Sequence, residues 1–398
     1  MLITLTGLMV MTACVSTSPT ARSPHIPHEL RGLWVATVDN ADWPSSRDLT
    51  PEQQRRELVA IFDRAAALHL NAIFLQIRPA ADALYPSPLE PWSEYLTGKM
   101  GKAPEPFYDP LAFAVTEAHA RGLELHAWFN PFRAHHPSGT SEPDPRHVLR
   151  AHPERVHPYG PFVWMDPGDE DVQRESLAVI VDVVRRYDVD GVHLDDYFYP
   201  YPEHDANGQR IDFPDIALWD RYVAAGGRLS REDWRRDNIN RFVRELYTTV
   251  KSIRPRVVVG ISPFGIWRPG NPAQIQGFDA WSDLYADARL WLQQGWVDYM
   301  APQLYWGTDQ REQSFPVLLR WWVEQDKDKD GRRIAPGLAI YRVSGSSRGL
   351  SAEEIARQIG LIREERRAGG FILFSARTLM EDCERINAVL GAAIEAER

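Results

Sequence analysis

The chain is predicted to fold as a single α/β unit, a (β/α)8 TIM barrel with long βα loops. Three observations predict it. Eight strand-like segments alternate with helix-like ones from Leu30 onward, and parallel strands need crossovers of this kind between them. No glycine-rich phosphate loop follows the first strand, which argues against an open doubly wound sheet. Polar and aromatic residues follow nearly every strand segment instead of one switch point, and a barrel gathers all eight carboxyl ends at one mouth.

Taken in order, residues 30–38 form the first strand, and Thr50-Pro51-Glu52-Gln53 then opens a helix with Thr50 as N-cap, Pro51 at the first helical position and Gln53 near the capping-box site. Residues 71–79 are the second strand. The loop from 80 to 106 carries Asp82, Tyr85, Glu90, Trp92 and Tyr95, and loops this long usually serve function. A helix over 109–121 leads to the third strand, 123–131, and a second long loop holds His135, His136 and Trp164. A helix over 170–187 precedes the fourth strand, Asp190-Gly191-Val192-His193-Leu194-Asp195-Asp196-Tyr197-Phe198-Tyr199-Pro200. After a polar insertion and a helix over 237–253 come strands at 256–263, 297–306, 334–341 and 370–376, with Ser351-Ala352-Glu353-Glu354 reading as another capping box.

The 398 residues, 44% of them hydrophobic, suffice for one barrel with insertions. A net charge of -10 argues against nucleic-acid binding, which needs a basic surface. Fourteen Trp, fourteen Tyr and 30 Pro suggest ordered loops and ring platforms. Residues 1–13 are apolar and end in small residues, an export signal too short to span a membrane. Met11-Thr12-Ala13-Cys14 resembles a bacterial lipoprotein box, with Cys14 the lipidated residue, although no Lys or Arg precedes the apolar run. Val15 rather than Asp after Cys14 resembles outer-membrane retention, facing the periplasm. Residues 14–27, rich in Ser, Thr and Pro, read as a flexible tether, leaving 28–398 as the barrel.

The fourth strand segment organises the chemistry. Alternation puts His193 and Asp195 on one face and Leu194 and Asp196 on the other, unless the strand is already turning into its loop at Asp196. Carboxylates beside rings suit carbohydrate chemistry, since acids protonate and displace at a glycosidic bond while rings hold the apolar face of a sugar. Asp195 and Asp196 are the candidate catalytic pair, with Asp195 the ionised partner supported by Arg78 and His193. Asn130 and Gln303 end strands where amides bond sugar hydroxyls. Tyr197, Tyr199, Trp92, Tyr305 and Trp306 are candidate platforms, Glu90 and Asp42 further polar contacts, and Arg78 either an ion-pair partner or a carboxylate binder; Arg133 and Arg268 are weaker carboxylate candidates. No cofactor or metal is expected: Asp326-Lys327-Asp328-Lys329-Asp330-Gly331 opens like a calcium loop but has Gly337 where the twelfth position needs Glu, and His135-His136 lacks a helix-spaced acidic partner. Cys383 reads as a buried thiol on the last helix.

The segments Arg31-Gly32-Leu33-Trp34-Val35-Ala36-Thr37-Val38, Phe74-Leu75-Gln76-Ile77-Arg78-Pro79, Pro91-Trp92-Ser93-Glu94-Tyr95-Leu96-Thr97-Gly98, His126-Ala127-Trp128-Phe129-Asn130-Pro131, His193-Leu194-Asp195-Asp196-Tyr197-Phe198-Tyr199-Pro200 and Ala301-Pro302-Gln303-Leu304-Tyr305-Trp306 together resemble the bacterial family 10 glycosyl hydrolase-like group. The resemblance implies a barrel glycosidase acting on peptidoglycan glycan strands, preferring strands from which amidases have removed the stem peptides, with cell-division proteins as possible partners. The fourth strand is also similar to the Asp-x-x-Asp-x-Asp-x-Glu signature of chitinase-type barrels, through Asp190 and Asp195. His193 replaces the middle Asp and Tyr197 stands in place of the acid Glu, so the proton donor must come from Asp196, Glu90, Asp82 or Asp42. Two other functions remain: a glycan-binding envelope lipoprotein without catalysis, and a glycosidase of another polysaccharide.

Overall fold

The computed structural model describes residues 29–328, 333–343 and 349–396. The signal, Cys14 and the tether lie outside the described residues. Eight parallel strands form the predicted barrel: β1 (Leu30–Val35), β2 (Ala72–Arg78), β3 (Glu124–Phe129), β4 (Gly191–Leu194), β5 (Val258–Ile261), β6 (Tyr299–Met300), β7 (Gly337–Leu338) and β8 (Gly370–Leu373). Their order is β7-β8-β1-β2-β3-β4-β5-β6. Parallel bridges Met300–Ile334 and Gln303–Gly337 join β6 back to the β7 segment.

The crossovers are α1 (Pro51–Ala67), α2 (Pro110–Ala120), α3 (Glu170–Arg186), α4 (Arg231–Ile253), α5 (Ala288–Gln294), α6 (Phe315–Gln325), α7 (Ala352–Glu364) and α8 (Ile386–Glu395). The Thr50–Gln53 capping box forms in both directions, Gln53 N donating to Thr50 Oγ1 at 3.3 Å and Thr50 N to Gln53 Oε1 at 2.8 Å. At α7 only half of the expected box forms. Ser351 accepts from Glu354 N at 3.1 Å, but the Glu354 carboxylate instead accepts from Thr308 N at 2.7 Å, tying the loop after β6 to this helix. Cys383 sits half-buried in a 3-10 turn before α8, not buried on it.

Inward-facing residues fill the barrel with a second core of Leu30, Trp34, Phe74, Trp128, Tyr299 and Ile372. Room for these rings comes from glycine: a Cβ on Gly260 would lie 1.8 Å from the Tyr299 ring and one on Gly191 2.2 Å from the His126 ring. Within this layer Trp34 Nε1–H donates to His193 Nε2 at 3.1 Å, so the indole, which can only donate, fixes His193 with its proton on Nδ1, aimed at the Tyr299 hydroxyl 2.8 Å away. Burial holds His193 neutral.

The long segment after β3, expected to be loop, contains a three-stranded antiparallel sheet of Arg133–His135, Phe162–Met165 and Val156–Tyr159. It starts three residues after Asn130 and so carries Arg133 and His136 to the barrel mouth. The insertion before α4 holds a helix at Ile216–Ala224, anchored by buried Asp215, which accepts from Arg235 Nε at 2.7 Å. No helix among the described residues is long and apolar enough to cross a membrane.

Candidate active site

The carboxyl ends of the strands open into a cavity of about 430 Å³ lined by Trp34, Gln76, Trp128, Arg133, His136, Asp195, Asp196, Tyr197, Tyr201, Ser262, Gln303, Tyr305, Tyr341 and Phe374. Both carboxylates face it. β4 ends at Leu194, so Asp196 has left the alternation of the strand, and this puts two adjacent acids on one wall.

Their environments differ. Asp195 accepts only N–H donors: Trp128 Nε1 at 3.1 Å, Asn130 Nδ2 at 3.2 Å to each oxygen, and the Tyr197 amide at 3.4 Å. Burial raises its pKa, while the nearby charge of Arg133 and these donors oppose the rise and favour the carboxylate. Asp196 accepts from the Tyr201 hydroxyl. Burial and then the charge of Asp195 push it up to about 6, with Tyr201 and Gln303 opposing. Burial thus raises both acids, and Asp196 alone carries the added push of its neighbour's charge, an asymmetry of the kind that acid–base pairs use.

The other candidates divide between the cavity and the framework. Tyr197, Gln303 and Tyr305 line it, Tyr305 stacked 6.1 Å from Phe374. Asn130 does not offer its amide to a sugar. Its Nδ2 holds Asp195, and its Oδ1 accepts from Arg133 N at 2.8 Å. His193 lies below the floor, fully buried.

Arg78 does not support Asp195, because its guanidinium is taken by Glu90, with Nε 2.9 Å and Nη2 2.5 Å from that carboxylate, and by the Asn130 and Pro131 carbonyls at 2.7 and 2.9 Å. Arg78 and Glu90 thus form an ion pair behind the mouth. Asp42 is likewise structural, accepting from Ala36 N, Ser375 Oγ and Arg377 N at 2.7–2.8 Å and so joining the β1 and β8 loops. Asp82, raised to about 7 chiefly by burial, accepts from Ala80 N at 3.0 Å away from the cavity. Of the four candidate proton donors, Asp196 alone lines the cavity.

Trp92 packs edge-on to Phe107, Tyr199 is buried against Phe213 and Tyr285, and Trp306 packs on Phe264; none of these three platform candidates lines the mouth. Arg268 lies over Trp281, 4.2 Å from its ring centre. Asp190, the first match to the chitinase-type pattern, accepts from Leu125 N at 2.8 Å at the opposite end of the barrel. In the calcium-like segment Asp326 pairs with Arg333, and residues 329–332 are outside the described set. Among the described residues no group of three or more His, Cys, Asp or Glu could hold a metal ion.

Sequence reasoning missed Trp34, Gln76, Trp128, Tyr201, Ser262, Tyr341, Phe374 and, apart from its rejection as a metal ligand, His136. Most were findable. Trp128 shares an inward face with Asn130, Ser262 and Phe374 follow directly on strands, and Tyr201 ends the aromatic run begun at Tyr197. Gln76 Oε1 accepts from Thr37 N and Val38 N at 3.0 and 2.9 Å, and its Nε2 has no protein acceptor among the described residues.

The Glycosyl hydrolase-like 10 family model matches residues 29–350. Glycosyl hydrolase YngK of Bacillus subtilis (strain 168) is 39% identical over 383 residues, covering 94% of this chain and 73% of that protein. Glycosyl hydrolase DigH of Escherichia coli (strain K12) is 34% identical over 359 residues, covering 85% of this chain and 79% of that protein. Among solved structures, the PgaB (BpsB) glycoside hydrolase domain from Bordetella bronchiseptica aligns with a TM-score of 0.60 at 16% identity, over 93% of this chain and all (100%) of that one. Alpha-L-fucosidase isoenzyme 2 from Paenibacillus thiaminolyticus aligns with a TM-score of 0.55 at 14% identity, over 92% and 49%. At such identities the likeness is one of fold.

Proposed function

The chain belongs to the glycosyl hydrolase-like 10 family and is a glycoside hydrolase, and we propose that it cleaves peptidoglycan glycan strands from which the stem peptides have been removed. The observation that carries the chemistry is the pair of adjacent carboxylates facing one ring-lined cavity in unlike surroundings, Asp195 among N–H donors near Arg133 and Asp196 raised to about 6 by burial and its neighbour's charge. In this reading Asp196 gives its proton to the glycosidic oxygen as the bond from that oxygen to the anomeric carbon breaks. The ionised Asp195 offsets the positive charge that develops on the sugar, and water adds to the anomeric carbon while its proton returns to the carboxylate pair. Trp34, Trp128, Tyr197, Tyr201, Tyr305 and Tyr341 offer faces and hydroxyls to successive sugars and Gln76 Nε2 an amide donor, while Gln303, whose Nε2 donates to the Ser262 carbonyl at 3.1 Å, steadies Asp196.

The test is to incubate the chain from Val15 onward with intact and with amidase-treated sacculi and to analyse the released sugars. New reducing ends from the peptide-free material alone are expected. Tight binding without products would favour a lectin-like role, anhydro ends a lytic transglycosylase, and turnover only of unrelated polysaccharides another substrate. The same reading places the protein on the outer membrane through lipid on Cys14, facing the periplasm and within reach of cell-division proteins. Labelling with a fatty acid that disappears in Cys14→Ser is the expected result for the anchor.

A further inference from the structure

Four arginines are buried among the described residues: Arg78, Arg133, Arg235 and Arg236. Three of them meet a carboxylate, Arg78 that of Glu90, Arg235 that of Asp215 and Arg236 that of Asp233. Arg133 does not. Its Nε donates to the Pro79 carbonyl at 3.0 Å and its guanidinium carbon lies 5.2 Å from the centre of the Tyr197 ring. Both terminal nitrogens are without a protein acceptor among the described residues, although the side chain lines the cavity and is 3% exposed. Asp195 feels its charge without being in ion-pair contact.

A second donor stands beside it. His136 lines the same cavity, and its Nδ1 lies 2.7 Å from Ser138 Oγ and 3.2 Å from Ser138 N; the backbone N–H can only donate, so Nδ1 accepts and the ring proton sits on Nε2, with no protein partner among the described residues. Burial and the charge of Arg133 push its pKa down to about 4, against the exposed Asp39, so the ring is neutral and a donor at Nε2 at physiological pH. A buried guanidinium costs free energy unless a negative partner meets it, and its fork matches a carboxylate in two parallel bonds.

We propose that Arg133, with the Nε2–H of His136 beside it, recognises a carboxylate carried by the sugar chain in the cleft and thereby sets the specificity for an acidic glycan. This rests on the glycan-strand reading and deepens it. In peptide-free strands the carboxylates belong to the lactyl ethers on alternate sugars. A strand that keeps its peptides presents an amide at the same position, without charge and with bulk attached.

The test compares peptide-free strands with the same strands after their carboxylates are converted to methylamides by carbodiimide and methylamine. Wild type is expected to lose about 10- to 100-fold in kcat/KM on amidation, the worth of charged hydrogen bonds. R133Q is expected to be slow on native strands and indifferent to amidation, and R133K, which keeps the charge near Asp195 but not the fork, to fall between. Equal turnover of both forms by wild type overturns the proposal and needs no variant to fold. A loss in R133Q that is the same on both forms also overturns it, since Arg133 would then act only through Asp195. If wild type ignores peptidoglycan but cleaves a uronate–hexosamine polymer with the same dependence on Arg133, the carboxylate contact stands and the peptidoglycan reading falls. Where turnover is absent, equilibrium binding to the two forms gives the same comparison.

Discussion

The end of β2 and the end of β4 both bury charge at the mouth of one barrel, and they use it in opposite ways. Behind β2, Arg78 and Glu90 meet in a forked pair and the remaining guanidinium donors go to the Asn130 and Pro131 carbonyls. Beyond β4, Asp195, Asp196 and the neighbouring Arg133 stay apart and face an open cavity. Charges that satisfy one another build framework; charges held apart at a cost are left for a ligand. A raised pKa does not make this distinction, because Asp82 near Glu90 is raised to about 7 and Asp196 to about 6, both mainly by burial. What differs is access to the cavity.

The largest expected effect falls on the open side. Asp196→Asn removes the proposed proton donor and should lower kcat about 10²- to 10⁴-fold while leaving the urea midpoint near wild type. A variant that retains full turnover would move the acid elsewhere. On the closed side, Arg78→Ala leaves the half-buried Glu90 without its partner and should cost about 3 kcal/mol in equilibrium unfolding. Arg133→Gln, which breaks one bond to a carbonyl, should cost about 1 kcal/mol, and equal losses for the two arginines would erase the comparison.

Asp82 offers a test with a defined sign. Its folded pKa, about 7, lies above the unfolded value, so its contribution is fully present below the unfolded pKa and is lost as pH rises toward and through 7. Asp82→Asn should remove that loss, making the variant more stable than wild type at pH 8 relative to pH 5 by about 3 kcal/mol, for the two units between pH 5 and the folded pKa at about 1.4 kcal/mol per unit. Urea titrations at the two pH values check it, and no change in turnover is expected. The smallest effect is the alkaline limb of the reaction. kcat/KM should fall about tenfold per pH unit above the Asp196 pKa of about 6, and Asp196→Asn should flatten whatever activity remains.

Much of the fold is local in origin and was therefore legible. Runs such as Ala72–Arg78 are buried throughout, and caps such as Thr50 with Gln53 act within four residues. The antiparallel sheet after β3 was not legible. Its first strand, Arg133–His135, is three residues long, too short for any period to show, and it exists because Phe162–Met165 lies beside it. The platforms were harder still. Tyr197 and Tyr199 are equivalent as residues, yet the first lines the cavity and the second is buried against Phe213 and Tyr285.

The sequence by itself determined the order of eight strands and the position of Asp195 and Asp196 at the end of the fourth, because hydrophobic period and strand ends are properties of neighbouring residues. Only the tertiary structure decided which charges are already satisfied. Arg78 and Arg133 end and follow adjacent strands and are both buried, but one meets Glu90 and the other meets the cavity. That difference is made through space, since the energy of a buried charge depends on which opposite charge lies within a few ångströms, and strand closure sets that distance.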